Sequence, residues 1–127
     1  HGRYENIEVV GFTDRVYDYM AQADLMLSKP GGITLFETIF SELPILAWEP
    51  FLQQERENAR FLIRHQIGRI APKEPEACLD AIVRLLTDDI ALARMGQNMR
   101  RLKGQLEAQS LERLMAALTV GAGKEAL

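Results

Sequence analysis

The sequence offers little to cross-link with. Its single cysteine, Cys78, has no partner for an internal disulfide, and no cysteine pair has metal-site spacing. A reducing compartment fits this usage, with Cys78 as a small core residue. No apolar run approaches the ~18 residues needed to cross a bilayer. The start, HGRYENIEVV, lacks the charged-then-apolar layout of a signal peptide, so a cytosolic chain is expected. Excess positive charge is missing too. Fifteen basic residues against eighteen acidic ones give −3, which leaves no global basic field to recruit nucleic acid or an anionic membrane. There is no Asp-x-Asp pair to hold a divalent metal, and Asp88-Asp89 reads as a helix cap. What remains is 127 residues, 47% hydrophobic and 26% charged, enough for one domain with a core and a small-molecule or protein partner.

Strand and helix patterns alternate along the chain. Ile7 to Phe12 (IEVVGF) is short, apolar and rich in β-branched residues, as in a buried parallel strand. Thr13 can cap a following helix with Val16, Tyr19, Met20 and Ala23 as its buried stripe. Leu25 to Leu27 predicts a second strand. A helix from about Ile33 to Ser41 would turn Leu35, Phe36, Ile39 and Phe40 inward, and Leu43 to Trp48 would be a third strand. A helix over about Gln54 to Gln66 then leads to a short strand, Gly68 to Ala71. Pro75 opens a helix with Leu79, Ile82, Val83 and Leu86 on one face. Asp88 would cap a short helix stopping at Gly96, and Gln97 to Leu118 reads as helical with Ser110 as a candidate break. Gly121-Ala122-Gly123 would end the ordered part, with Lys124 to Leu127 frayed. The pattern predicts an α/β fold: a Rossmann-like, three-layer parallel sheet of about four strands with a helical C-terminus. In such sheets ligands bind beyond the carboxyl ends of the strands.

One of those ends carries LSKPGGITLFE, Leu27 to Glu37. Gly31 and Gly32 would give the backbone conformations closed to other residues and let a ligand come close. The first turn of the helix after them offers unpaired N–H groups and a positive dipole end, which suits phosphate. Thr34 adds a hydroxyl, and Glu37 lies one turn further on the same face. A carboxylate beside phosphate is repelled, so its fitting partner is a neutral diol, and a diphosphate next to a ribose meets that geometry. The same residues also suit a plain tight turn with Glu37 in solvent. After the next strand, Glu49-Pro50-Phe51-Leu52-Gln53-Gln54-Glu55 arrives at the same sheet edge with amides and carboxylates that suit sugar hydroxyls. Asn58 follows on the helical face of Gln54, although Glu55 and Glu57 equally favour a helix N-terminus. Lys29 either neutralises a phosphate or points to solvent.

SKPGGITLFE, then LPILAWEPFLQQERENA, then Gly68, resembles the C-terminal nucleotide-sugar-binding half of family 28 glycosyltransferases. These are the MurG-like enzymes and the diacylglycerol glycosyltransferases, of two-Rossmann GT-B fold. The bacterial diacylglycerol glucosyltransferases are most similar in motif, through Lys-Pro-Gly-Gly and Gln-Glu-x-x-Asn. The resemblance covers about Val9 to Ala71. It implies a UDP-sugar donor with its diphosphate against Gly31, Gly32, Ile33 and Thr34, and its ribose on Glu37. It further implies the donor sugar at Gln54 and Glu55, and Asn58 supporting phosphate or loop. The uracil would lie near Phe12 and Val16, where Phe12 reads equally as core. No metal or other cofactor is implied, and the acceptor is a lipid or lipid-linked molecule.

Neither His1 nor His65 persuades as a base; the resemblance puts base and acceptor site in an N-terminal domain, which would hold the enzyme at the inner membrane face. A domain of this kind opens with strand, glycine-rich turn, helix and strand before anything like IEVVGF. The expectation is therefore a C-terminal portion of a larger enzyme, inactive alone, with a gap in its sheet repaired by re-pairing or by a strand-exchanged homodimer. Two alternatives stay open: another nucleotide-sugar enzyme of GT-B type, such as an epimerase or hydrolase, and a non-catalytic subunit that needs a partner domain.

Overall fold

In a computed structural model the chain is described over residues 5–49 and 51–126, with side chains to residue 118. His1, Pro50 and Leu127 lie outside the described residues. The elements are α1 (Val16–Gln22), β1 (Met26–Ser28), α2 (Gly32–Phe40), β2 (Ile45–Trp48), α3 (Gln53–Arg64), β3 (Gly68–Ala71), α4 (Pro75–Leu86) and α5 (Asp89–Ala126). The three strands form one parallel sheet in the order β1-β2-β3, with Met26 opposite Ile45 and Ile45 opposite Gly68.

The central strand decides the layering. Successive side chains of a strand face opposite ways. Ile45 and Ala47 pack with Leu35 and Ile39 of α2, Leu62 of α3, and Met99 and Leu102 of α5. Leu46 faces the other way, into a cluster with Ala71, Cys78, Leu85 and Met95. Helices thus cover both faces, and Cys78 is the buried core residue expected. Residues such as Ile45, Leu62 and Leu85, fully buried, each contribute about 1.5–3 kcal/mol of burial free energy.

The turns out of α2 and α3 repeat one device. Glu42 and Gln66 both have positive φ, 55° and 54°. After each, a backbone N–H reaches back across the helix end, Leu43 to the Thr38 carbonyl and Ile67 to the Leu62 carbonyl, at 2.9 and 3.1 Å. Those bonds satisfy carbonyls that the helix leaves unpaired and aim the chain straight into β2 and β3.

Several expectations need correction. Residues 7–11 are not a strand, because no described strand offers them a ladder and a lone extended segment has nothing to hold it. Among the described residues the sheet therefore has three strands, is continuous, and contains no gap to repair. Of the expected α1 stripe only Met20 is buried. In α2 the buried set is Leu35, Thr38 and Ile39, while Phe36 and Phe40 are exposed. Thr38 fits inside because its hydroxyl donates to the Leu35 carbonyl at 2.8 Å. The buried face of α4 is Cys78 and Leu85, with Leu79, Val83 and Leu86 outside. The C-terminal region does not break at Gly96, Ser110 or Gly121: α5 runs through all three, since a helix interior tolerates glycine at about 1 kcal/mol each.

Candidate functional site

Parallel strands put all their carboxyl ends on one side, and the expected site elements meet there. β1 ends at Ser28, whose hydroxyl donates to the Lys29 carbonyl at 2.9 Å. The Gly31 N–H also goes to that carbonyl, at 2.9 Å, which folds the chain tightly before α2 begins at Gly32. Pro30 is buried under this turn.

Gly31 caps α2 with extended backbone, φ −68° and ψ 155°, and no side chain caps the helix. No glycine among the described residues has positive φ, so conformational freedom does not explain the pair. What both positions do have is space: a Cβ placed on Gly31 or Gly32 would meet nothing within 4 Å. The surface above the turn is open to close approach of a ligand. Gly31 N–H is spent on Lys29, whereas the N–H groups of Gly32, Ile33 and Thr34 have no partner among the described residues. Three amides and the positive end of a nine-residue helix are therefore available to an anion.

The side chains expected around this turn are distributed as follows. Thr34 is half-buried on the first turn and Ile33 is exposed. Glu37, also half-buried, accepts a hydrogen bond from the Tyr17 hydroxyl at 3.3 Å, which joins α1 to α2. Asn58 Nδ2 donates to the Pro30 carbonyl at 2.8 Å, so α3 holds the Pro-Gly-Gly turn in place. Glu55 accepts the Leu52 N–H at 2.8 Å and stabilises the start of α3, while Gln54 beside it is exposed. Lys29 lies over the Trp48 ring, 4.8 Å from its centroid, a cation–π contact across the ends of β1 and β2.

Phe12 is fully exposed, so it is not core. Val16 lines a hollow of about 450 Å³ beside β1, together with Met20, Leu25 and Leu43. The residue of the leading segment that touches the site is Tyr17, which sequence reasoning missed. An aromatic with a polar tip on a short exposed helix was the only signal, because the packing of α1 on α2 is a tertiary fact. Trp48 was missed for the same reason.

The parallel sheet, the uncapped helix start after a tight glycine turn and the carboxylate one turn along define a class: an α/β domain that presents unpartnered helix-start amides beyond its strand ends. Residues 1–109 match the glycosyltransferase family 28 C-terminal domain, and the chain belongs to that family. A processive diacylglycerol beta-glucosyltransferase of Staphylococcus carnosus is 37% identical over 100 residues, 79% of this chain and 25% of that protein. The enzyme of the same description from Bacillus subtilis is 33% identical over 98 residues, 77% of this chain and 25% of that protein. The chain thus spans about a quarter of the length of the curated relatives it matches. Among solved structures, the glycotransferase of kitacinnamycin shares the fold at 23% identity and a TM-score of 0.66, over 86% of this chain and 30% of that one.

Proposed function

We propose that this chain is the donor-binding portion of a UDP-sugar hexosyltransferase that acts on a lipid or lipid-linked acceptor. The observation that carries the reading is the uncapped start of α2, with three unpartnered amides beneath open space and Glu37 one turn further on. The diphosphate rests on the N–H groups of Gly32, Ile33 and Thr34, and the Thr34 hydroxyl adds a donor. Glu37, already oriented by Tyr17, accepts from the ribose hydroxyls. The exposed Gln54 and the neighbouring Glu55 face the donor sugar, and uracil lies toward Phe12 and Val16. The family membership and the names of the relatives support glucose-type donors and diacylglycerol-type acceptors.

In the transfer itself the bond between the sugar's anomeric carbon and the diphosphate oxygen breaks, while an acceptor hydroxyl oxygen bonds to that carbon. The acceptor proton leaves to a base, and UDP departs carrying the negative charge. Oriented amides and a helix dipole stabilise that charge without reorganising during the reaction. This chain supplies the leaving-group side, without a metal, and the remainder of a longer MurG-like enzyme supplies the base, the acceptor site and contact with the inner membrane face. No helix of the described residues is long and apolar enough to cross a membrane.

The test of the donor site is amide NMR with UDP. The expected result is that the largest shifts fall on Gly32, Ile33 and Thr34. Shifts confined to other elements would refute the placement.

A further inference from the structure

The formal charge of −3 averages over unlike surfaces. Arg15, Arg60, Arg69, Arg84 and Arg100 each have a carboxylate within 4.0 Å. The side chains of Arg56, Arg64, Arg94 and Arg101 have no ion pair or hydrogen bond among the described residues. Two of these unspent guanidiniums share one hollow. It measures about 450 Å³, lies between the last turn of α3 and the middle of α5, and is lined by Arg64, His65, Gln66, Asn98, Arg101 and Gln105 over Leu102. No Asp or Glu lines it.

The walls are held by bonds that leave the arginines out. Gln66 takes a left-handed conformation and turns the chain from α3 into β3. Asn98 Nδ2 donates to the Gln66 carbonyl at 2.9 Å and fixes that turn to α5. The His65 ring rests on Phe61, with centroids 4.2 Å apart. A cation at the end of α3 also suits the helix dipole, which accounts for Arg64 but not for Arg101 in the middle of α5. Two guanidiniums offer about ten N–H donors, and an imidazole and three side-chain amides stand beside them. A carboxylate has two oxygens and suits one arginine fork, whereas a phosphate group has acceptors enough for two.

We infer that this hollow is a second phosphate-binding site, separate from the donor turn. The separation follows from topology. The donor turn follows the carboxyl end of β1, whereas Gln66 immediately precedes the amino end of β3, and the strands are parallel. The two sites therefore lie at opposite ends of the sheet. Basic character continues on either side: a neighbouring hollow shares Gln66 and includes Arg69 and Arg94, and another shares Arg64 and includes Arg56 and Arg60. The phosphate is either a free anion or the head group of an anionic lipid, and both present the same oxygens to the arginines.

The experiment titrates inorganic phosphate into the chain at constant ionic strength and follows backbone amides by NMR. The expected result is saturable shifts at Gln66, Asn98 and Arg101, with half-saturation raised about tenfold or more in Arg64→Ala/Arg101→Ala. UDP-induced shifts at Gly32, Ile33 and Thr34 stay unchanged in that variant. Both arginines are exposed, so the fold is expected to survive, and a thermal melt checks it; Arg64→Gln and Arg101→Gln singly serve if the double variant melts early. Sedimentation with phosphatidylglycerol and phosphatidylcholine vesicles separates the sources. Binding to phosphatidylglycerol alone, lost in the double variant, assigns a lipid head group. Phosphate binding without vesicle binding assigns a free anion. Shifts that are absent, that chloride reproduces, or that survive the double substitution overturn the inference.

Discussion

Gly68→Ala is the sharpest test of how the sheet is built. Gly68 starts β3 opposite Ile45 of β2. A Cβ there would stand 2.1 Å from the Ile45 carbonyl oxygen, 2.5 Å from Leu62 Cδ2 and 2.9 Å from Ile45 Cγ2. Such a contact needs at least 3.0 Å, so the carbonyl must give by about 0.9 Å, the difference between 3.0 and 2.1. The two side-chain atoms can rotate aside, but the carbonyl belongs to the central strand. Overpacking of this kind costs about 3 kcal/mol, the upper part of the usual range, against a total stability of about 5–15 kcal/mol. For a domain of this size that lowers the melting temperature by roughly 12 °C. Circular dichroism melts of the variant and the parent chain measure it. Gly96→Ala is the counterpart, since its Cβ meets nothing within 4 Å inside α5, and it is expected to stabilise by about 0.5–1 kcal/mol. A Gly68→Ala melt within about 2 °C of the parent would refute the reasoning.

Three further outcomes are expected. Gln66→Gly relieves a positive φ of 54° and raises the unfolding free energy by about 0.5–1 kcal/mol, read as a higher urea midpoint at unchanged m. Asn58→Ala removes the 2.8 Å bond to the Pro30 carbonyl and costs about 1 kcal/mol in urea unfolding; it also weakens UDP binding by freeing the turn. Gly31→Ala and Gly32→Ala do not lower the melting temperature, because neither site is crowded or at positive φ, yet they weaken UDP binding by filling the space a ligand needs.

The element sequence from α2 to α4 was legible because each strand is a short apolar run closed by a breaker and each helix has a recognisable start, with Gly68 to Ala71 and Pro75 placed at their observed bounds. The segment 7–12 misled because β-branched composition reports suitability for a sheet, while a strand also needs a neighbour to bond. Helix faces were misjudged for the same kind of reason. Periodicity finds an apolar stripe, but where two stripes compete, as Leu35 and Ile39 do with Phe36 and Phe40, tertiary packing chooses. In the site, the turn and Glu37 could be read from spacing. The Tyr17–Glu37 and Asn58–Pro30 bonds could not, since they join residues 20 and 28 positions apart. Gly31 and Gly32 were singled out for backbone freedom, yet neither has positive φ, and what the structure shows at both is open space.

The central claim is that α2 begins a nucleotide-sugar site with Glu37 on the ribose. Calorimetric titration of UDP into the parent chain and into Glu37→Ala tests it most directly. The expected result is saturable binding to the parent chain and affinity weakened about tenfold or more in the variant, the loss of a charge-assisted hydrogen bond. No heat of binding with the parent chain, or equal affinity in the two, would contradict it.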